Sequence, residues 1–439
     1  LDYIEDTTWY KDIGEPVLIP PEGTETIGWI TVSGENFLDA QENLQKALEL
    51  IKFNVVKYDT DSSLGKTVRK SRFGSAKLIK QSLIKAAKLE KLKLLDLKSI
   101  KDLKISIFGN VSELSSNPVD IQDTNSVKEI YNTLEEADYD IKLYNVNDFN
   151  SLIRSFDPTE TDLVLNFAEK INNSTLLGAQ LPTILEGWNL PYIGSNAIAN
   201  ILCKDKIKFK KILHFHEIPT PEWDYAYTDD DEIDEDLQFP LIVKPAHYDN
   251  SIGISAKSIV YNKEEMRKQI KKIIEEFKTP VLVEEYIEGD EYRVSIIGNT
   301  DDDIQIMPLS RTIFTELPEG YPHIYTYDAK WSGEKAYSKL VKQYPVKNIN
   351  KKLETLLTEI ALDVFNIMKC RDYGVVEFRV DENNNPHVLE IGTSPTLSKG
   401  GELNKVAEIA EYSHLQLIEE VLQTAIHRYQ KSQKNNFIN

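Results

Sequence analysis

Two cysteines in 439 residues, Cys203 and Cys370, are too few for a disulfide scaffold, and neither sits in a paired-cysteine metal or redox spacing. Such sparing use points to a reducing, cytoplasmic setting. Long apolar runs are missing as well. No stretch approaches a membrane span, and the chain opens on no apolar secretory segment, so a soluble protein with no membrane partner is expected. Positive charge is scarce: 51 Lys and Arg against 71 Asp and Glu leave a formal charge of −20, which argues against a general nucleic-acid binder. No Ser/His/Asp or Cys/His grouping is evident either, so nothing in the sequence calls for a nucleophilic side chain.

Against these absences, the length and a hydrophobic content of 41% suffice for two to four ordinary domains. The charge is unevenly spread. Residues 62–104 hold thirteen lysines and arginines against Glu90, Asp96 and Asp102, a net of +10 within an acidic chain. One reading is a solvated helix docking on the protein's own acidic body, with Leu78, Ile79, Leu83, Ala86 and Ala87 at helical spacing. The other is an arm that captures an acidic peptide, a carrier or RNA.

Residues 1–26 are polar and punctuated by Pro and Gly, and no regular element is expected there. Beyond them, 27–32 reads as a strand, 36–51 as an amphipathic helix and 53–58 as a second strand, a small βαβ unit. A second unit of like layout, compatible with internal duplication, has strands at 105–108 and 141–144, a helix at 125–136 and a further strand at 162–167. The lysine-rich run 204–211 reads as one helix, stopped by Pro219 and Pro221. Strands are expected at 239–243, 281–284, 292–297 and 304–307, and helices at 263–277, 349–368 and 414–429. Strands alternating with helices, then hairpins, indicate an α/β to α+β architecture in several lobes.

The most telling stretch is 371–395, RDYGVVEFRVDENNNPHVLEIGTSP. Two apolar strands flank a turn at 381–386, with Glu377 and Glu390 symmetric about Asn383 and Asn384. In a simple hairpin they face each other, and opposed carboxylates destabilise a ladder unless something positive lies between them. A divalent cation completed by phosphate oxygens answers this; the plainer alternative leaves both side chains in water. Lys244 ends an apolar strand, is followed by Pro245 and adjoins the polar loop AHYDNSIG. An ammonium beside a nest of backbone N–H groups grips phosphate; the plainer alternative is a lysine snorkelling from a strand end. In VLVEEYIEGDEYRV, the run Glu284, Glu285, Tyr286 and Ile287 offers backbone groups to an adenine edge, and Glu291 offers an acceptor to ribose hydroxyls. Lys330 adds a cation in the aromatic loop YDAKW.

These segments occur in order with LPTILEGWNLPYIGSNAIANILCKDKIKFKKILHFHEIPTPEW and the closing AEIAEYSHLQLIEEVL. Together they resemble the ATP-grasp superfamily, and within it the D-alanine–D-alanine ligase-like family, over about residues 103–430. The resemblance implies an N-terminal extension at 1–102, a βαβ pre-ATP-grasp domain at 103–200, lobes clasping ATP at 201–288 and 289–432, and a polar tail at 433–439. It also implies ATP and Mg2+ as cofactors, amino-acid or peptide substrates and a homodimer. In its chemistry a carboxylate is phosphorylated to an acyl phosphate and captured by an amine. Residue by residue, Lys206 or Lys210, with Lys244, would hold the phosphates, and Ser251 with the backbone around Gly253 would cover them. Glu284, Glu285, Tyr286 and Ile287 would line the adenine site, Glu291 the ribose, and Lys330 would reach the terminal phosphate. Glu377 and Glu390 would hold the metal. Glu186 matches a position on the substrate side, Glu113 in GNVSE is a candidate for a substrate amine, and Ser398 and Gly401 fall in the stretch that receives the second substrate.

Departures from the family pattern shape the expectation. Val375 replaces an arginine that steadies the tetrahedral intermediate, with Arg379 or Arg293 as the expected substitute. Gly392 replaces a metal-binding asparagine, and Asp249-Asn250-Ser251 replaces Gly-Ser-Ser. The stretch 395–401 reads PTLSKGG in place of PGMTSHS, so the substrates are expected not to be two D-alanines. The leading expectation is an ATP-dependent carboxylate–amine ligase. Its rivals are a D-alanine–D-alanine ligase, a non-catalytic nucleotide-binding scaffold that holds a partner and, from the basic stretch alone, a nucleic-acid module.

Overall fold

The computed structural model describes residues 3–12, 26–53, 88, 91–299, 303–331 and 335–431. The strand expected at 53–58, beyond Phe53, the helical spacing at 78–87 and the tail at 433–439 lie outside the described residues. The chain divides into two compact units, Leu1–Ala76 and Lys77–Asn439.

In the first unit, β1 (Ile4–Trp9) pairs antiparallel with β2 (Gly28–Val32), and the helix Phe37–Leu50 follows. This corrects the expectation of no regular element in residues 1–26, since β1 lies there; the strand and helix expected at 27–32 and 36–51 are present, and the second strand of the βαβ unit lies outside the described residues. The IEDTTW strand shows no alternating apolar face, so only its pairing with β2 defines it.

The second unit includes part of the basic stretch. Lys88 donates to the carbonyls of Pro158 and Thr161, and Lys91 pairs with Asp162 at 2.5 Å. Lys101 donates to the Ala137 carbonyl at 2.7 Å. Leu92, Ile100 and Leu103 are buried in one core with β3 (Lys104–Gly109), so the boundary expected at 102 falls inside this unit. With β4 (Asp140–Asn145) and β5 (Leu163–Phe167), β3 forms a parallel sheet in the order β4-β3-β5. The crossover helix Pro118–Glu136 starts earlier than expected. Asn117 caps it, accepting from the Val119 N–H at 3.0 Å, and Pro118 takes the first turn, where its missing N–H costs nothing.

The lysine-rich run is two helices, Ala197–Lys204 and Lys206–Phe215. Asp205 breaks it by capping the second, its carboxylate accepting from the Lys208 N–H at 3.1 Å. Next come β6 (Trp223–Ala226), β7 (Leu241–Pro245), β8 (Ile259–Val260) and β9 (Val281–Glu285), in the order β6-β9-β7-β8. The helix Lys263–Phe277 seats Met266, Ile270 and Ile273 in one core with Val243, Val281 and Val283.

The largest sheet comprises β10 (Asp290–Ile297), β11 (Gln305–Ile306), β12 (Ser310–Ile313), β13 (Val341–Gln343), β14 (Tyr373–Val380) and β15 (Pro386–Gly392). It is antiparallel, in the order β13-β12-β10-β14-β15, with β11 on β10. On one face, Val376, Phe378 and Val388 share a core with Leu357, Val364 and Phe365 of the helix Lys351–Ile367. Alternation along the strands leaves Arg293, Glu377 and Arg379 for the other face. The helices Glu402–Ile409 and His414–Lys431 close the chain, packing in the core that contains β3 and the crossover helix. Among the described residues no helix is long and apolar enough to cross a membrane.

Candidate active site

The open face of the β10–β14–β15 sheet and the end of β7 border a cleft of about 870 Å³. Lys206, Lys244, Ser251, Glu284, Glu285 and Tyr286 line it, as do Ile287, Glu291, Arg293, Lys330, Glu377, Arg379 and Glu390. Two expected residues do not. Lys210 is fully buried behind Glu284, one helical turn deeper than Lys206. Gly253, with φ +80°, lies under Pro245, whose Cγ would be 2.5 Å from any Cβ placed there.

The floor of the cleft is a buried charge cluster. Glu284 lies between Lys210, at 2.5 Å, and Lys244. Burial pushes its carboxyl upward, but the two ammonium groups outweigh that and hold it at about 2. Lys210 is pushed down to about 8 by burial, with Glu284 opposing and Lys244 adding to the shift. Beside this cluster the Glu285 and Tyr286 N–H groups donate to the carbonyls of Glu222 and Pro240, both at 2.9 Å. Those two donors are therefore committed within the protein, which corrects their expected availability to a base edge. Ile242, Ile324 and Leu389 supply apolar wall.

At the other end, Glu377 and Glu390 are paired across β14 and β15. The register reaches this through a bulge: Val380 pairs with Pro386 and Phe378 with Val388, yet Glu377 pairs with Glu390, leaving Leu389 extra. The turn is therefore odd in length, and the bulge restores the opposition that a simple symmetric hairpin would give. Glu390 contacts Lys206 at 2.6 Å, and Lys206 contacts Asp249 at 3.2 Å. Burial works to raise the Glu390 carboxyl, but Lys206 outweighs it and holds the group below the usual range. Glu377 receives Arg293 Nε–H at 2.9 Å and Nη2–H at 3.3 Å. There burial wins, and the carboxyl is raised despite Arg293, with the facing Glu390 adding to the shift.

Of the two arginine alternatives, only Arg293 touches Glu377. Arg379 instead donates to the carbonyls of Gly289 at 3.0 Å and His323 at 2.6 Å, and lies over the Phe314 ring. The 249–251 loop is tied down from outside. Lys330 donates to Asn250 Oδ1 at 3.1 Å, Trp331 to the Asn250 carbonyl at 3.1 Å, and Ser251 to the Tyr325 carbonyl at 2.7 Å. Asn250 and Ser251 both have left-handed backbone, with φ of 57° and 59°, a strained pair of the kind found at ligand clamps.

A second cavity of about 1150 Å³ shares Asp249, Asn250, Lys330 and Glu390 with the first. Its remaining wall includes Asp123, Phe167, Glu169, Lys204 and the 392–396 segment. Asp123 is pushed up to about 7 by burial and by the Glu169 carboxylate. Glu169 and Asp249 both hold Lys204, at 2.9 and 3.3 Å. Neither Asp123 nor Glu169 falls in a recognisable motif, so neither was legible before the fold brought them together.

Four expected substrate-side residues line neither cavity. Glu113 is exposed and paired with Lys128 at 2.7 Å, while Asn110, three residues earlier, anchors the loop inward by accepting from the Glu169 N–H at 2.8 Å. Glu186 accepts from the Tyr192 hydroxyl at 2.6 Å. Ser398 is buried against Thr396 at 3.0 Å, and Gly401 caps the helix Glu402–Ile409.

A family model described as "D-ala D-ala ligase C-terminus" matches residues 212–423. An uncharacterized protein, y4sG, of Sinorhizobium fredii is 33% identical over 267 residues, covering 61% of this chain and 75% of that protein. A D-alanine–D-alanine ligase of Carboxydothermus hydrogenoformans is 30% identical over 258 residues, 56% of this chain and 77% of that enzyme. The crystal structure of the Bacillus anthracis D-alanine–D-alanine ligase complexed with ATP superposes with a TM-score of 0.58 at 23% identity, over 75% of this chain and 99% of that one.

Proposed function

Since the chain belongs to the D-alanine–D-alanine ligase family of ATP-grasp enzymes, we propose that it is an ATP-dependent carboxylate–amine ligase whose substrates are an amino acid or peptide pair other than two D-alanines. The observation that carries the reading is the Lys206–Glu390–Asp249 cluster, whose Glu390 and Asp249 line both the cleft and the second cavity.

In this reading the base lies against Ile242, Ile324 and Leu389, and Glu291 accepts from the ribose. Lys244 and Lys206 hold the phosphates from below and Lys330 from the 325–331 side. Glu390, facing Glu377 across the ladder, would hold Mg2+, which sheds water reluctantly and is bound through one or two carboxylates plus phosphate oxygens; it supplies charge neutralisation at the transferring phosphoryl group. The substrate carboxylate enters from the second cavity, and its oxygen takes the γ-phosphoryl group as ADP leaves. The neutral amine then attacks the acyl carbon, phosphate departs and the surplus proton is lost to solvent. Such chemistry needs positioning and fixed charge more than a nucleophilic side chain. Asp123 is suited to meeting the substrate ammonium before the amine is released from its proton.

The altered 395–401 segment supports substrates other than two D-alanines. It ends at Gly401, and the next residue is the acid Glu402, which receives Arg293 and the Tyr344 hydroxyl. The assay is phosphate release from Mg–ATP with panels of amino acids and dipeptides. Release with a mixed pair and none with D-alanine alone is expected. Release with D-alanine alone, giving the D-Ala–D-Ala dipeptide, overturns the substrate assignment, and no release with any pair favours the non-catalytic scaffold. A reading of the basic stretch as a docking arm for an acidic partner rests on residues 62–87, because Lys88, Lys91 and Lys101 already bind within the chain.

A further inference from the structure

Glu377 and Glu390 face each other, yet the cations they already hold differ in kind. Lys206 reaches Glu390 with a single ammonium at 2.6 Å and shares it with Asp249 at 3.2 Å. A lysine head is a point charge on a flexible stem, so it can swing to a phosphate oxygen and leave Glu390 to a metal. Arg293 has no such freedom. Its planar fork meets both oxygens of Glu377, at 2.9 and 3.3 Å, and Nη1 reaches Glu402 at 2.8 Å, while Nη2 is 3.7 Å from Glu291. It is only 8% exposed. Pulling a buried guanidinium off three carboxylates leaves buried charge without a counter-ion, which is strongly unfavourable.

The oxygen ligands that a second metal needs are also missing. Gly392 has no side chain, and the residue paired with it across the ladder is Val375. Among the described residues, no group of three or more His, Cys, Asp or Glu side chains is arranged to hold a metal ion. Of the carboxylates beside Glu390, Glu377 is already bridged by an arginine and Asp249 is held by Lys204 and Lys206, at 3.3 and 3.2 Å.

We propose that Arg293 is the resident second cation of this cleft, so that the nucleotide binds with one divalent ion, on Glu390, rather than with two. The proposal rests on the nucleotide-binding reading above. Arg293 supplies permanently the charge that a second ion would bring, and it holds Glu377 in place as a positioning residue.

The test uses Mn2+ in place of Mg2+ on the full chain with a non-hydrolysable ATP analogue, read by electron paramagnetic resonance. Two ions about 3.5–4 Å apart, as in two-metal phosphoryl-transfer sites, are exchange-coupled and give a crowded multiline spectrum; an isolated ion gives a simple hyperfine sextet. The wild-type chain is expected to show the sextet, with one bound Mn2+ per nucleotide. Arg293→Gln is expected to weaken the Mn–nucleotide complex at least tenfold or to admit a second, coupled ion. An exchange-coupled wild-type spectrum overturns the proposal. So does an Arg293→Gln variant unchanged in both affinity and spectrum. A wild-type chain that binds no Mn2+ with nucleotide fails differently, because then the nucleotide-binding reading itself is lost.

Discussion

Glu284 has almost no solvent with which to share its charge, being 1% exposed between Lys210 and Lys244. Removing it leaves two buried ammonium groups without a counter-ion. Glu284→Leu is therefore expected to lower unfolding stability by about 3–5 kcal/mol, measured by urea denaturation; a loss within error of zero contradicts the cluster. Asp123 gives a different signature. Its carboxyl is raised to about 7 in the folded chain, so the native state binds that proton more tightly than the unfolded chain does. Its stabilising contribution is complete below about pH 4 and is lost as the pH climbs through about 7. Asp123→Asn, which keeps the neutral form, should gain on wild type by on the order of 4 kcal/mol between pH 4 and pH 8. Parallel stability–pH curves for the two proteins contradict this. The choice between Lys206 and Lys210 was illegible in sequence because residues four apart share a helix face; only the depth of each turn relative to the cleft separates them.

At the scale of elements, the break at Asp205 decides where two lysines point. The 204–211 run holds five lysines and no Pro or Gly, so it reads as one helix; the cap reveals itself only through the Asp205 carboxylate turning back to the Lys208 N–H. The same carboxylate lies 3.5 Å from His247. Asp205→Ala is expected to cost about 0.5–2 kcal/mol in stability and also to weaken Mg–ATP binding, because Lys206 begins the helix that loses its cap. Stability lost with nucleotide affinity unchanged would separate the cap from the site. The β14–β15 hairpin shows what sequence can and cannot carry. Apolar alternation and a DENNN turn make both strands readable, and the opposition of Glu377 and Glu390 follows from symmetry. The bulge at Leu389 was invisible, since nothing in HVLEIG marks one residue as extra. Strand β1 was missed for a different reason: a polar strand owes its existence to its partner.

Across the whole molecule, long-range meetings were the least legible. Cys203 and Cys370, far apart in the chain, are buried in the same core. Asp372 receives Arg428 at 2.7 Å from the closing helix. The parallel βαβ order and the late hairpins were legible because they are set by local periodicity. The division of the chain into Leu1–Ala76 and Lys77–Asn439 leads to a further expectation. All the described residues lining the two cavities belong to the second unit, so a chain beginning at Lys77 should bind Mg–ATP with affinity within about threefold, or 0.7 kcal/mol, of the full chain. A larger loss, read calorimetrically, would give the first unit a part in the nucleotide site. The most direct measurement is titration calorimetry of Mg–ATP into the full chain and into a Lys244→Met, Glu390→Gln double variant, with circular dichroism to confirm that both are folded. One site in the wild type, weakened at least about a hundredfold (roughly 3 kcal/mol) in the variant, is the expected result. Equal affinity in the two proteins would contradict the cleft as the place where the triphosphate lies.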